Sequence, residues 1–234
     1  MIICIETSTP VCSVALCNPS GVISVRENTE GKSHAALLTL FIEDLLKSNG
    51  MRVEDLEAVA VSKGPGSYTG LRIGVSVAKG MAYAASIPLI GVETPVSMFH
   101  GIIDKTGKKF RADDNTLFCP LIDARRMEVY NAIFDSKGNK CRETTAEVIE
   151  EGSFIEIPEE HRIVFFGDGA IKCRGVMRRK NILFEDDYRI SAASLQKPAH
   201  KAIIEKNFED IAYFEPFYLK DFIATKQVKN IYGK

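Results

Sequence analysis

The distribution of apolar and polar positions predicts two similar series of strands and helices. Short apolar runs closed by turn residues predict strands, and apolar residues three or four positions apart predict helices. In the first series the predicted strands span residues 1–6, 11–16, 22–27, 58–62 and 89–92, and the predicted helices span residues 33–48, 69–85 and 94–100. Hairpins link the first three strands and helices link the later ones, which is typical of a mixed β-sheet.

A polar stretch without periodicity, residues 104–115, follows the first series, and after it the pattern begins again. The second series has predicted strands at residues 116–122, 127–135, 140–146, 162–166 and 182–184, a helix that ends near Arg179, and a last helix capped at Ser191 and interrupted at Pro198. The repetition predicts two lobes, residues 1–103 and 104–234, with a cleft between them. The Lys-rich end of the chain, from Ala224 onward, is expected to fray.

A Gly-Pro-Gly turn at residues 64–66 separates a continuously apolar strand from a helix. Glycines let a backbone pass close to a ligand, and the start of a helix offers unpaired N–H groups that can bind an anion. The spacing matches neither known phosphate fingerprint, since no Gly-Lys-Ser/Thr follows and the third glycine position of the dinucleotide pattern is Thr69. Spacing alone therefore favours a structural turn over a phosphate site.

Two predicted helices of the first series have unusual surfaces. The helix at residues 33–48 has an apolar stripe that Leu37 and Leu40 make wider than one core requires. Either the helix is fully buried or it packs against a second partner, and the polar loops beside it favour a partner. The helix at residues 69–85 is rich in Gly, Ala and Ser, which is expected where another helix approaches closely.

Composition narrows the functional classes. Apolar residues make up 45% and charged residues 26% of the 234, as in a soluble globular protein, and the net charge of −1 provides no overall field that recruits nucleic acid. The six cysteines are scattered without a Cys-x-x-Cys pair, which favours buried thiols in a reducing cytoplasm. No run is long enough for a membrane span and no basic leader opens the sequence, so a cytoplasmic location is expected.

Each predicted lobe opens with a strand that ends on a carboxylate, Glu6 in one and Asp123 in the other. Actin-like phosphotransferases and ATPases have this plan, with a strand-end carboxylate near a metal ion and glycine turns around phosphates. The corresponding residues here are Glu6, Thr7, Ser8, Gly64, Gly66, Asp123, Gly167 and Gly169. The alternative is that the fold is kept and the chemistry is absent.

Other catalytic arrangements find little support. No two of His34, His100, His161 and His200 share a zinc-binding spacing, and Ser67 does not lie in a Gly-x-Ser-x-Gly elbow. A peptidase is therefore the weakest hypothesis. The cluster at residues 123–126, Asp-Ala-Arg-Arg, either presents an arginine to an anion or forms a salt bridge between lobes, and the sequence leaves both open.

Five blocks in order along the chain carry a resemblance, at residues 5–9, 64–74, 123–125 with 129–130, 167–170 and 216–219. Together, and above all through Gly-Pro-Gly-Ser-Tyr-Thr-Gly-Leu-Arg-Ile-Gly at 64–74, they resemble the TsaB family, formerly YeaZ. The resemblance implies a two-lobed actin-like α/β fold of the ribonuclease H-like (ASKHA) class, with mixed sheets and flanking helices. One departure is Glu6, where the family more often has Asp.

The resemblance also implies a function. It implies a bacterial cytoplasmic subunit of the machinery that adds a threonylcarbamoyl group to adenosine 37 of tRNAs reading codons that begin with A. The transfer itself belongs to the paralogue TsaD, so this subunit is expected to be non-catalytic, with no metal site and no firmly bound cofactor. The implied partners are TsaD, the ATPase TsaE and a second copy of the chain, with ATP or ADP at the TsaD junction and tRNA reached only through the complex.

The same resemblance implies site residues. The interface residues it implies lie on the two unusual helices: Ser33, His34, Leu37, Leu38, Phe41, Ile42, Leu45, Arg72, Ile73, Ser76, Val77 and Gly80. The nucleotide-facing residues it implies are Thr7, Ser8, Gly64, Gly66, Ser67, Asp123, Arg125, Gly167 and Gly169. The competing hypothesis is an active ATP-dependent phosphotransferase that uses Glu6 and Asp123.

Overall fold

The structure, a computed structural model, describes residues 1–31, 34–106 and 115–220. The predicted interface residue Ser33, most of the predicted lobe boundary at residues 104–115 and the predicted frayed end lie outside the described residues.

The first sheet has the strand order β3-β2-β1-β4-β5. Its strands are β1 Ile2–Glu6, β2 Cys12–Asn18, β3 Gly21–Asn28, β4 Ala58–Gly64 and β5 Leu89–Glu93. Strand β1 pairs antiparallel with β2 and parallel with β4, and all its side chains are buried because both faces of the sheet are covered. The predicted mixed sheet is confirmed.

The second sheet repeats this topology in the order β10-β9-β6-β7-β8. Its strands are β6 Thr116–Asp123, β7 Glu128–Phe134, β8 Lys140–Val148, β9 Arg162–Phe166 and β10 Ile182–Glu185. Strand β6 takes the place of β1, antiparallel to β7 and parallel to β9. Glu6 and Asp123 therefore end equivalent strands, as the sequence predicts.

Helices cover the sheets in an arrangement that crosses the sequence order. Helices α1 His34–Ser48 and α2 Tyr68–Ala85 pack on one face of the first sheet. Helix α3 Thr94–Thr106 follows the first sheet in sequence but packs on the second. The 3-10 helix Ala192–Leu195 and helix α5 Gln196–Glu205 return to the other face of the first sheet.

The chain after α5 continues along the first sheet. The Glu209 N–H donates to the Leu89 carbonyl at 2.9 Å, and Phe214 is buried in the first core. The Phe217 N–H then donates to the Lys63 carbonyl at 2.7 Å, next to the Gly64 turn. Residues 192–218 thus belong physically with the first sheet, which a division at residue 103 does not anticipate.

Two helix predictions are wrong in detail. Helix α4 spans only Ala170–Cys173 and does not reach Arg179, because the chain leaves the helix in a turn at residues 174–176. The Arg179 guanidinium donates to the carbonyls of Phe154 and Ile157. Pro198 does not interrupt α5, since it lies in the first turn, where no backbone N–H donor is needed. The predicted cap at Ser191 is confirmed: its hydroxyl accepts from the Ala193 N–H at 3.1 Å.

Candidate functional site

The carboxylate that ends β1 is fully enclosed. Glu6 is 0% exposed. Its Oε1 accepts from the Ser8 N–H at 2.7 Å and the Ser8 hydroxyl at 2.5 Å, and its Oε2 accepts from the Ser62 hydroxyl. Burial raises the Glu6 pKa, the three hydrogen bonds oppose this shift, and the charge of Asp168 adds to it. Both oxygens are thus used inside the protein, where they hold the turn after β1 against β4.

The glycines after β4 serve close packing against that same turn. A Cβ at Gly66 would overlap the Ser8 carbonyl, and the Ser67 N–H donates to that carbonyl at 2.6 Å. At Gly64, where φ is +119°, a Cβ would lie 2.5 Å from the Phe217 carbonyl oxygen. Residues 8 and 217 therefore pack directly against the backbone of this turn, which explains why glycine is needed at both positions.

The start of α2 rests on Thr7 in the same way. The Thr7 hydroxyl donates to the Gly70 carbonyl at 2.8 Å, and a Cβ at Gly70 or Gly74 would overlap atoms of Thr7. The sequence-based explanation that another helix requires these small residues is therefore wrong for Gly70 and Gly74. Gly80 differs from both, because a Cβ there would meet nothing within 4 Å.

At the equivalent end of the second sheet, Asp123 and Asp168 meet. The Asp123 N–H donates to Asp168 Oδ1 at 3.0 Å, and the Asp123 carboxylate forms an ion pair with Lys172. The surrounding protein desolvates Asp168 and raises its pKa, and the nearby Asp123 charge contributes. The Arg125 N–H donates to Asp123 Oδ1 at 2.9 Å, and the Arg125 side chain is exposed. The salt bridge of Asp123 is thus made with Lys172, which sequence reasoning missed.

The predicted nucleotide-facing residues do not form one surface. Thr7 and Ser8 are 0% exposed and Gly64 and Gly169 are buried, so none of these four lies at the surface, and their contact with a nucleotide stays a prediction. Ser67, Asp123 and Arg125 are exposed, and Gly66 and Gly167 are half-buried. Gly167, at φ +105°, and Gly169 pack against the Leu121 backbone, which repeats the role of the first turn. The predicted nucleotide-facing residues are thus divided between buried and exposed positions.

Helices α1 and α2 carry an exposed face with apolar and small side chains. Leu40 is 56% exposed and Tyr83 is 79% exposed, although both side chains are large. Leu37, Phe41, Ile73 and Val77 are half-buried, and Arg72, Ser76 and Gly80 are exposed. We call these residues the α1/α2 face.

Three predicted interface residues point the other way. Leu38 is 1%, Ile42 is 7% and Leu45 is 0% exposed, because they form the inner stripe of α1 in the first core. The prediction of these three residues as surface contacts is wrong. Leu40 was not among the predicted interface residues, and it lies on the outer side of α1. The width of the apolar stripe indicated that the helix has two apolar faces, but the sequence did not show which of them is turned toward the core.

His34 anchors the start of α1. Its Nε2 lies 3.0 Å from the Thr9 carbonyl oxygen and 3.2 Å from the Val11 carbonyl oxygen, so this nitrogen must carry the proton. His34 therefore ties α1 to the turn after β1. Within residues 1–31, 34–106 and 115–220, no three His, Cys, Asp or Glu side chains are grouped so that they could hold a metal ion.

The chain is similar to proteins of tRNA modification along most of its length. The family model for tRNA N6-adenosine threonylcarbamoyltransferase, TsaD, matches residues 25–229. The chain is 30% identical, over 97% of both lengths, to the tRNA threonylcarbamoyladenosine biosynthesis protein TsaB of Escherichia coli. The chain belongs to the TsaB family. It is also 43% identical to the Bacillus subtilis threonylcarbamoyltransferase, but over only 26% of this chain and 18% of that enzyme.

Solved structures show the same fold in a TsaB-family protein. YeaZ from Pseudomonas aeruginosa superposes with a TM-score of 0.78 at 23% identity, covering 93% of this chain and 99% of that one. With the repeated sheet topology, this confirms the predicted actin-like α/β fold class. Among the described helices of the TsaB-family chain, none has the length and apolar character needed to cross a membrane.

Proposed function

We propose that the chain is a non-catalytic subunit that binds and stabilises the catalytic paralogue, TsaD, in tRNA threonylcarbamoyladenosine biosynthesis. The observation that carries the proposal is the α1/α2 face, in which large apolar side chains such as Leu40 and small residues such as Gly80 are both exposed. Gly80 has open space where a side chain would be, so the fold of the chain itself gives no steric reason for glycine there. A helix of a partner that packs closely on α2 supplies such a reason.

The strand-end carboxylates support a non-catalytic role. Both oxygens of Glu6 accept hydrogen bonds from neighbouring residues, and Asp123 is paired with Lys172. A phosphotransferase that used Glu6 and Asp123 would have to break these contacts before either residue could hold a metal ion or a nucleophile. We therefore assign the transfer chemistry to the paralogue.

The remaining partners belong to the same proposal. A second copy of the chain would use the α1/α2 face when the paralogue is absent. TsaE and tRNA would join through the paralogue, and ATP or ADP would bind at the junction of the two subunits. A cytoplasmic location, expected from the sequence, accompanies this role.

The test mixes the purified chain with the threonylcarbamoyltransferase of the same organism. We expect a heterodimer by size exclusion with light scattering, and restoration of tRNA modification in a reconstituted assay. Leu40→Glu should weaken the heterodimer, whereas the matched change Ile155→Glu, at an isoleucine that is 81% exposed in the second half of the chain, should not. A transferase that is fully active alone and forms no complex with the chain would refute the proposal.

A further inference from the structure

The residues after α5 form a groove with the exposed side of α2. Residues 214–218 run alongside α2, and the groove between them encloses about 230 Å³. The Arg72 and Lys79 side chains from α2 and the Glu215, Pro216 and Tyr218 side chains from the C-terminal segment line it. Ser76 also lines the groove and belongs to the α1/α2 face, so the groove is continuous with that face.

Arg72 is held at the groove in a fixed orientation. Its guanidinium carbon lies 4.0 Å from the centre of the Tyr68 ring and 5.9 Å from the centre of the Tyr218 ring. Its Nε–H donates to the Tyr218 hydroxyl at 3.0 Å. The two rings lie 5.0 Å apart, and Arg72 lies beside this pair. An arginine held by such contacts loses less side-chain entropy when it binds, which is typical of the residues that dominate protein interfaces.

The two cations at the groove are bound by neutral groups of the described residues. Among residues 1–31, 34–106 and 115–220, no carboxylate forms a salt bridge with Arg72 or with Lys79. Lys79 donates instead to the carbonyls of Ala212 at 3.3 Å and Phe214 at 2.8 Å. The Arg72 guanidinium is exposed, and its planar form suits a two-oxygen acceptor.

We infer that this groove docks a carboxylate side chain of the catalytic paralogue, with Arg72 as its anchor and Tyr218 as the residue that positions Arg72. The inference rests on the proposed function and extends the pairing surface from α1 and α2 to the C-terminal segment. The charges that line the groove indicate its occupant. Two cations, Arg72 and Lys79, and one acid, Glu215, leave one positive charge without a counter-charge among the lining residues, so the groove suits a single carboxylate. Glu215 and the apolar walls formed by Val75 and Pro216 disfavour a nucleic-acid backbone, which carries many charges.

The test measures the dissociation constant of the heterodimer by calorimetry at several salt concentrations. Arg72→Gln removes the charge and keeps a polar side chain, and it should weaken binding by about tenfold or more. It should also reduce the salt dependence of the dissociation constant. Tyr218→Phe, which keeps the ring and removes the hydroxyl, should weaken binding by about threefold, less than Arg72→Gln, because the charge of Arg72 remains and only the hydrogen bond that positions it is lost.

Arg178→Gln is the matched control, because Arg178 is 79% exposed, lies in the second half of the chain and changes the net charge equally. Equal weakening by Arg178→Gln, or no weakening by Arg72→Gln, would overturn the inference while leaving the proposed function intact. If Arg72→Gln instead lost binding to tRNA, to nucleotide or to a second copy of the chain, while the dissociation constant of the heterodimer stayed unchanged, the groove would be assigned to that ligand. If a chain truncated after Lys220 bound the paralogue more tightly than the full chain, the residues beyond Lys220 would be identified as the occupant of the groove. A wild-type chain that does not bind the paralogue would refute both proposals.

Discussion

Gly80→Ala should stabilise the isolated chain and weaken its pairing. In a helix interior, alanine is favoured over glycine by about 1 kcal/mol, and the added Cβ at Gly80 meets no atom within 4 Å. For a chain of this size, 1 kcal/mol corresponds to a rise in Tm of about 2–4 °C. If a partner helix lies against Gly80, the methyl group forces it outward at a cost of ~1–3 kcal/mol, which raises Kd by about 5- to 150-fold.

The assays are thermal unfolding of the chain at low concentration, so that self-association is absent, and calorimetry with the paralogue. Gly80→Leu, which adds a larger side chain, should lower the affinity for the paralogue further than Gly80→Ala does. Gly175→Ala is the matched control, because Gly175 also has open space around it and lies outside the α1/α2 face. Gly74→Ala should instead destabilise the chain, because its Cβ would overlap Thr7. A stabilised Gly80→Ala chain with unchanged affinity, together with unchanged affinity for Gly80→Leu, would show that no partner helix lies there.

Three further predictions concern single residues. Leu40→Ala should weaken the heterodimer by about fivefold, because covering the exposed half of a leucine contributes ~1 kcal/mol, and unchanged affinity in calorimetry would place Leu40 outside the interface. Folding raises the Glu6 pKa, so the folded chain retains this proton to higher pH than the unfolded chain, and stability falls as the pH rises from the ordinary glutamate range through the raised value. Glu6→Gln should reduce that decline, measured by urea unfolding at a series of pH values, whereas Glu150→Gln, at an exposed glutamate, should not. Identical pH profiles for Glu6→Gln and wild type would contradict the assignment of the raised pKa to Glu6. Gly66→Ala should lower the free energy of unfolding by about 2 kcal/mol or more, because the methyl group overlaps the Ser8 carbonyl, and a variant as stable as wild type would contradict the packing of the turn.

The sequence predicted the strands well because their apolar runs are short and bounded by turn residues. Residues 162–166 were predicted as a strand, and β9 has the same bounds. The sequence could not predict the length of α4, because the apolar residues Val176 and Met177 continue the pattern although they lie beyond the helix and pack against the second core. The return of residues 209–218 to the first sheet depends on backbone hydrogen bonds, which leave no periodic pattern.

The candidate site was predictable only in part, for a related reason. The excess width of the α1 stripe showed that the helix has two faces, but only the packing of Leu38 in the core placed Leu40 outside. The glycines between residues 64 and 80 look equivalent in the sequence, but they have different surroundings in the structure. Gly66 is required by Ser8 and Gly74 by Thr7, whereas Gly80 faces open space.

A single packing arrangement accounts both for the closed turn and for the exposed helix face. The glycines at the start of α2 let the helix pack onto the turn after β1, which encloses Thr7 and Ser8. The same contact fixes the rotation of α2, so that Arg72, Ser76 and Gly80 lie on its outer side. Among the described residues of the second half, which has the same strand order, only the four-residue α4 lies at the equivalent position. The packing that encloses the turn in the first half thus also determines which face of α2 is exposed.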